Sequence, residues 1–162
     1  MKKEILIGAD HAGFELKQAL IAFLRDEGHE VTDMGATKLE EGDDYPAILA
    51  PLAMKMAMNP EKSIGIVIGG SGTGEAIISN RFPGVRAAVF YGPATLFDGS
   101  GSKDGYDIIR LAREHNDANV ISLGARFVSV DVAKKAVKIF LETPFPGDER
   151  NVRRIAQIDD IE

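Results

Sequence analysis

The chain has 162 residues, 44% of them hydrophobic and 27% charged, enough for one soluble globular domain with an ordinary core. Its net charge is −6 with the acids spread along the chain, which argues against nucleic-acid or anionic-membrane binding. It contains no cysteine, which excludes disulfides, thiolate metal sites and a Cys nucleophile.

The N-terminus, MKKEILIGAD, does not read as a signal peptide. No apolar run approaches the ~18 residues of a membrane span. Glu4–Ala9 is a short apolar strand, and residues 13–27 carry apolar side chains at helical spacing up to a stop at Gly28. Glu30–Met34 reads as a second strand. Pro46–Met58 is apolar all round, a buried helix with Pro46 in its first turn. Ile64–Ile68 has no polar residue, as a strand covered on both faces requires. Then come a helix over 74–80, a strand Val85–Phe90, a helix ending near His115, a strand Asn119–Leu123, a helix Asp131–Leu141 and a last helix over about 149–160. Pro93–Tyr106 breaks this rhythm as a glycine- and serine-rich surface loop with the composition of a mobile segment.

Strands alternating with helices predict an α/β, three-layer, Rossmann-like doubly wound fold with a five-stranded parallel sheet and an extra C-terminal helix, all in one domain over 1–162. Ligands of such sheets bind beyond the carboxyl ends of the strands. Asp10-His11, the run Gly69-Gly70-Ser71-Gly72-Thr73-Gly74-Glu75 and Tyr91-Gly92 all fall at such ends.

The glycine loop presents backbone N–H groups at a helix start, a place to hold an anion. It lacks the Gly-Lys-Ser/Thr of a mononucleotide loop, and no ribose-binding acid ends the next strand, so a dinucleotide fits poorly. What remains is something small, or a plain tight turn. Glu75 is either a first-turn acid complementing the helix dipole or a general base. Asp10 suits an N-cap or a ligand contact. His115-Asn116 lies in a polar run suited to a helix C-cap, yet His is also the side chain for proton transfer near neutral pH. Arg150 and Arg154, spaced i and i+4, share one helix face; they form a phosphate clamp or a solvated basic face paired with Asp148 and Glu149. Arg126, after Gly124-Ala125, is a third cation candidate. No His pair at ligand spacing supports a metal site.

Taken together, Gly8-Ala9-Asp10-His11-Ala12-Gly13-Phe14-Glu15-Leu16-Lys17, Asp44-Tyr45-Pro46, Gly69–Glu75, Arg113–Asn119 and the Arg150/Arg154 pair occur in order. This pattern resembles the ribose-5-phosphate isomerase B family, which also contains galactose-6-phosphate isomerase subunits, over nearly the whole chain. The resemblance implies a cytosolic aldose–ketose isomerase acting on a small-molecule sugar phosphate through an enediolate, without metal or organic cofactor. Many members carry a Cys base where this chain has Gly69. A second branch, similar to the actinobacterial enzymes, reads Gly-Gly-Ser-Gly-x-Gly-Glu and uses the Glu, as Gly69–Glu75 does here.

On that resemblance Glu75 would move the proton between C1 and C2. The N–H groups of Gly70 to Gly74 (Gly70, Gly72 and Gly74 among them) and the Ser71 hydroxyl would stabilise the oxyanion. His115 would open the furanose ring, and Asp10 and Asn116 would hold sugar hydroxyls. His11, Arg126, Arg150 and Arg154 would grip the phosphate, and Tyr45 would line the pocket. It also implies a homodimer or tetramer with the site between subunits, the helix over 147–162 serving a neighbour's glycine loop.

Two features depart from the family pattern. The 93–106 loop is longer than expected, which keeps a six-carbon aldose-6-phosphate substrate (galactose or allose 6-phosphate) as the alternative. Arg153 stands within the C-terminal Arg motif, where members commonly have His after the first Arg, and this blurs its register. Readings from another class are a flavodoxin-like or dinucleotide-binding module and a non-catalytic sugar-phosphate sensor.

Overall fold

The computed structural model describes residues 3–161. Five strands, β1 (Glu4–Ala9), β2 (Val31–Asp33), β3 (Ser63–Gly69), β4 (Ala87–Phe90) and β5 (Val120–Gly124), form one sheet in the order β2-β1-β3-β5-β4, with every pairing parallel. Six helices connect and flank them: α1 (Phe14–Asp26), α2 (Tyr45–Met58), α3 (Thr73–Ser79), α4 (Asp107–Asn116), α5 (Val130–Glu142) and α6 (Glu149–Asp159).

The side-chain period of the strands assigns the two faces. Ile5, Ile7, Ile64, Ile66, Ile68, Ile121 and Leu123 pack on one side with Leu16, Leu20 and Leu24 of α1, Ile109 of α4 and Val137 and Phe140 of α5. Leu6, Val67 and Val120 face the other side, against Leu49, Leu52 and Met56 of α2. β3 is buried along its whole length, which is why its sequence shows no alternation. Gly65 leaves room for the side chain of its β5 neighbour, because a Cβ there would meet Val120 Cγ2 at 2.8 Å.

Element ends follow local chemistry. α1 stops where Gly28 takes φ +75° and the His29 N–H returns to the Leu24 carbonyl, a glycine C-cap. α2 opens at Tyr45 with Pro46 in its first turn, where the missing N–H costs nothing. β4 begins at Ala87 rather than Val85, because the Arg86 N–H goes to the Asn119 side chain instead of joining a ladder. β2 is also shorter than the Glu30–Met34 run.

The segment 93–106 departs from the reading as a mobile loop, at least in its second half. Arg110 grips Asp104 with Nη1 and Nη2 at 2.9 and 2.7 Å, and the Ser102 N–H donates to Asp107 at 2.6 Å. Tyr106 stacks on Phe90 at 5.6 Å. Phe97, at the loop's far end, is fully exposed.

The chain runs from β1 out to β2, back across β1 to β3, and then to the other half of the sheet. The order therefore reverses between β1 and β3, and the carboxyl ends of these two strands carry Asp10 and the glycine loop. This is where an open α/β sheet leaves a crevice for a ligand.

Candidate functional site at the carboxyl ends of the strands

β1 delivers Asp10 into a one-turn 3-10 segment, His11–Gly13. Its Oδ1 accepts from the Ala12 and Gly13 N–H groups at 3.0 and 3.2 Å, so Asp10 is an N-cap, and it is buried. β3 delivers the glycine loop. Gly72 adopts φ +75°, and a Cβ there would meet the Leu123–Gly124 backbone at 2.9–3.1 Å, so this position needs glycine twice over. Its carbonyl accepts from Ser122 Oγ at 2.6 Å. The Ser71 hydroxyl accepts from the Thr73 N–H at 3.2 Å, which leaves its own hydrogen to donate.

Glu75 sits in the first turn of α3 and is 4% exposed. Its Oε2 is buried with no hydrogen-bond partner. A Cβ at Gly69 would overlap the Glu75 carboxyl, so the glycine at the end of β3 is the space in which the acid lies. Burial pushes the Glu75 carboxyl above its ordinary value, and the charge of Asp10 adds to the rise; the amides of Glu75 and Gly72 oppose it without cancelling it. A dipole-complementing surface Glu would be solvated and ionise normally, so the geometry disfavours that alternative.

Two other residues press on the loop. The Arg126 guanidinium lies over Gly70, 3.1 Å from where a Cβ would stand, and its backbone N–H donates to the Gly70 carbonyl at 3.1 Å. The Tyr45 ring lies against Gly74, where a Cβ would be 2.6 Å from Cζ. His11 is held by Asp43: Nδ1 is 2.5 Å from Asp43 Oδ1, and the His11 backbone N–H donates to the same oxygen at 3.1 Å. That hydrogen bond raises the His11 pKa, assisted by the charges of Asp10 and Asp43 and opposed by burial and by Arg126.

Asp43 carried no signal in the sequence, because it stands in an acidic turn, Glu40-Glu41-Gly42-Asp43-Asp44, that reads as solvent-exposed. Among the described residues, Asp10, His11 and Asp43 are the group of such side chains close enough to share a cation, within 4.8 Å of one another. Their atoms are already engaged: Asp10 caps two N–H groups and Asp43 holds His11.

The remaining predicted residues lie elsewhere. His115 and Asn116 end α4 and are exposed. The Asn116 and Asp117 carbonyls accept from Arg86, the residue just before β4, at 3.0 and 3.1 Å. Because the strands are parallel, that is the amino-terminal edge of the sheet, opposite the glycine loop. Asp117 closes α4 in the left-handed region at φ +42°, pinned by Arg86 at 3.0 Å and Arg113 at 2.8 Å. α6 docks on the same end through Asn151, which is buried and donates to the Glu114 carbonyl at 3.4 Å. Arg150 and Arg154 are exposed on it, and no ion pair within the chain engages either among the described residues. The predicted residues thus form two groups on one chain. Asp10, His11, Tyr45, Gly70, Ser71, Gly72, Gly74, Glu75 and Arg126 stand at one edge; His115, Asn116, Arg150 and Arg154 stand at the other.

A cleft of about 580 Å³ also opens at the amino-terminal edge, lined by Arg86, Arg113, Asp117, Asn119 and Asp159. Its cations are paired with its own acids, Arg86 with Asp117 and Asp159 and Arg113 with Asp117, so it offers little net charge to an anion.

Fold and site together define a doubly wound α/β protein with a glycine-rich loop and a buried carboxyl at the carboxyl ends of its strands. The sequence pattern of the Ribose/Galactose Isomerase family matches residues 5–158, and the chain belongs to that family. It is 41% identical over 151 residues to ribose-5-phosphate isomerase B of Mycolicibacterium paratuberculosis, covering 93% of this chain and 86% of the relative. The enzyme of the same name from Escherichia coli is 36% identical over 160 residues, covering 99% and 97% of the two chains. The crystal structure of ribose-5-phosphate isomerase B from Mycoplasma genitalium with bound ribulose-5-phosphate superposes with a TM-score of 0.86 at 33% identity, over 98% of this chain and 95% of that one.

Proposed function

We propose that this protein is a cytoplasmic enzyme that interconverts ribose 5-phosphate and ribulose 5-phosphate, with Glu75 as the base. One observation carries the mechanism: the Glu75 carboxyl is buried beside the glycine loop, with an unpartnered oxygen and a raised pKa. A carboxylate is a weak base in water, and burial brings its proton affinity toward the working pH. Glu75 removes the proton from C2 of the open-chain aldose and returns it to C1, while the carbonyl oxygen gains charge as the enediolate forms. The loop N–H groups from Gly70 to Gly74 and the Ser71 hydroxyl stabilise that charge, and they are preorganised by the β3–α3 turn. Asp10 and Tyr45 contact the sugar, and His11 and Arg126 bind the phosphate.

His115 and Asn116, for ring opening and hydroxyl binding, and the phosphate-binding Arg150 and Arg154 come from a second copy of the chain. They stand at the far edge of their own sheet, so a complete site requires a dimer or a higher oligomer. The bound ribulose-5-phosphate of the M. genitalium structure and the names of the relatives favour a five-carbon substrate.

Turnover on ribose 5-phosphate, compared with allose and galactose 6-phosphates, tests the substrate. The pentose should be the fastest by at least about tenfold, the discrimination a well-fitted pocket achieves for one extra carbon. A faster hexose phosphate would move the assignment to the six-carbon reaction and give the 93–106 loop a part in it.

A further inference from the structure

His11 and Arg126 lie close enough for the charge of one to depress the proton affinity of the other, and Arg126 rests on the glycine loop. Two cationic groups side by side need a compensating anion. Within the chain, Asp10 and Asp43 supply part of it. Asp43 does this in an unusual way. One oxygen takes both the His11 ring and the His11 backbone N–H; the other is buried with no partner at all. A buried, unpartnered carboxylate oxygen costs stability and returns none. A surface turn built only for folding would place that oxygen in water.

We propose that Asp43 is a positioning residue for the phosphate grip, orienting the His11 ring through Nδ1–H so that Nε2–H is the donor presented to the substrate's phosphate. This rests on the phosphate-binding reading of His11 given above. In the neutral ring only one nitrogen carries hydrogen, and an acceptor at Nδ1 decides which. With Asp43 at Nδ1, the ring can donate from Nε2 only as the imidazolium, and the Asp43 carboxylate stabilises that form. Asp10 acts in the same direction and Arg126 against it. The turn that carries Asp43 also leads through Asp44 into Tyr45, so one segment sets both His11 and the ring against Gly74.

The test is the His11 ring titration followed by NMR in the whole protein without substrate, readily assigned because the chain has three histidines and a His11→Gln spectrum identifies the signal. In the wild type, His11 should titrate above its ordinary value of about 6.5, and in Asp43→Asn it should fall back to that value or below. Inorganic phosphate, monitored by the same signal, should bind Asp43→Asn about tenfold more weakly at pH 8 and only about twofold more weakly at pH 6. The KM for ribose 5-phosphate should follow the same trend, with kcat changed by less than about twofold.

A wild-type His11 that titrates at or below its ordinary value overturns the proposal without any variant. So does an Asp43→Asn protein whose phosphate affinity drops equally at all pH values, since that is the signature of a merely structural role. If the titration responds as expected and no sugar phosphate is turned over, the positioning stands and the isomerase assignment fails. If turnover is present and the titration is indifferent to Asp43, the reverse holds.

Discussion

At the residue scale, Gly69 and Glu75 act as a pair. The acid occupies the volume that any side chain at 69 would need, so a glycine there is the condition for a buried acid six residues later. Gly69→Ala should displace the carboxyl by about an ångström and cost about 10²-fold in kcat with little change in KM, since misplacement of a reacting group on that scale has such an effect. Glu75→Gln removes the base and should lower kcat by about 10²–10⁴-fold while sugar-phosphate binding survives; near-normal turnover defeats the assignment. The same variant has a consequence for stability. The folded-state pKa of Glu75 is raised, so the ionised carboxylate destabilises the fold at pH values above that pKa, and the penalty fades as the acid protonates on going below it. Thermal unfolding at pH 8 should therefore show Glu75→Gln with a higher Tm than the wild type, and the gain should shrink toward pH 5.

At the element scale, ends rather than middles proved hard to read. The periodicity of α1 and α5 and the apolar run of β3 were legible because burial is written directly into residue type at fixed spacing. Val85 continues the β-favouring run of Ala87–Phe90, and only the Asn119 side chain, distant in sequence, takes the Arg86 N–H out of the ladder, so β4 starts at Ala87. The 93–106 segment has the composition of a mobile loop, yet the Arg110–Asp104 grip ties it to α4. That pair holds the Asp104 carboxyl far below the usual carboxylate range, Arg110 being the first cause. Arg110→Ala should raise amide hydrogen exchange across 93–106 while leaving the global Tm nearly unchanged, because an ion pair that is only partly buried at the surface contributes little to overall stability. The start of α5 offers a contrast: Ser129 caps it by accepting from the Val132 N–H at 3.3 Å, and Ser129→Ala should cost about 0.5–2 kcal/mol in denaturant unfolding.

At the scale of the whole molecule, the parallel sheet separates the two groups of site residues. Each βα unit returns the chain to the same edge, so residues at strand ends gather on one side and residues at helix ends on the other. If the groups meet across subunits, two inactive variants with lesions in different groups will complement. Glu75→Gln mixed with His115→Ala, refolded together, should recover about a quarter of wild-type turnover, since half the dimers are mixed and each of those has one intact site. Recovery of nothing, with mixed dimers verified, would place the whole site within one chain. Arg150→Ala should raise KM in the same assay when it is carried on the Glu75→Gln subunit, whose Arg150 faces the partner's intact Glu75, and should have no effect when carried on the His115→Ala subunit.

The sequence by itself determined the alternation of strand and helix, the parallel sheet, the edge at which the glycine loop opens and the identity of the acid that follows it. Those features are local: they depend on residue type, spacing and turn chemistry within a few positions. The tertiary structure alone decided the rest. It placed the Glu75 carboxyl in the space left by Gly69, brought Asp43 from a featureless acidic turn onto His11, and put His115 and Arg150 out of reach of their own glycine loop. Each of these is set by packing between segments far apart in the chain, and no local pattern records which distant neighbour will be met.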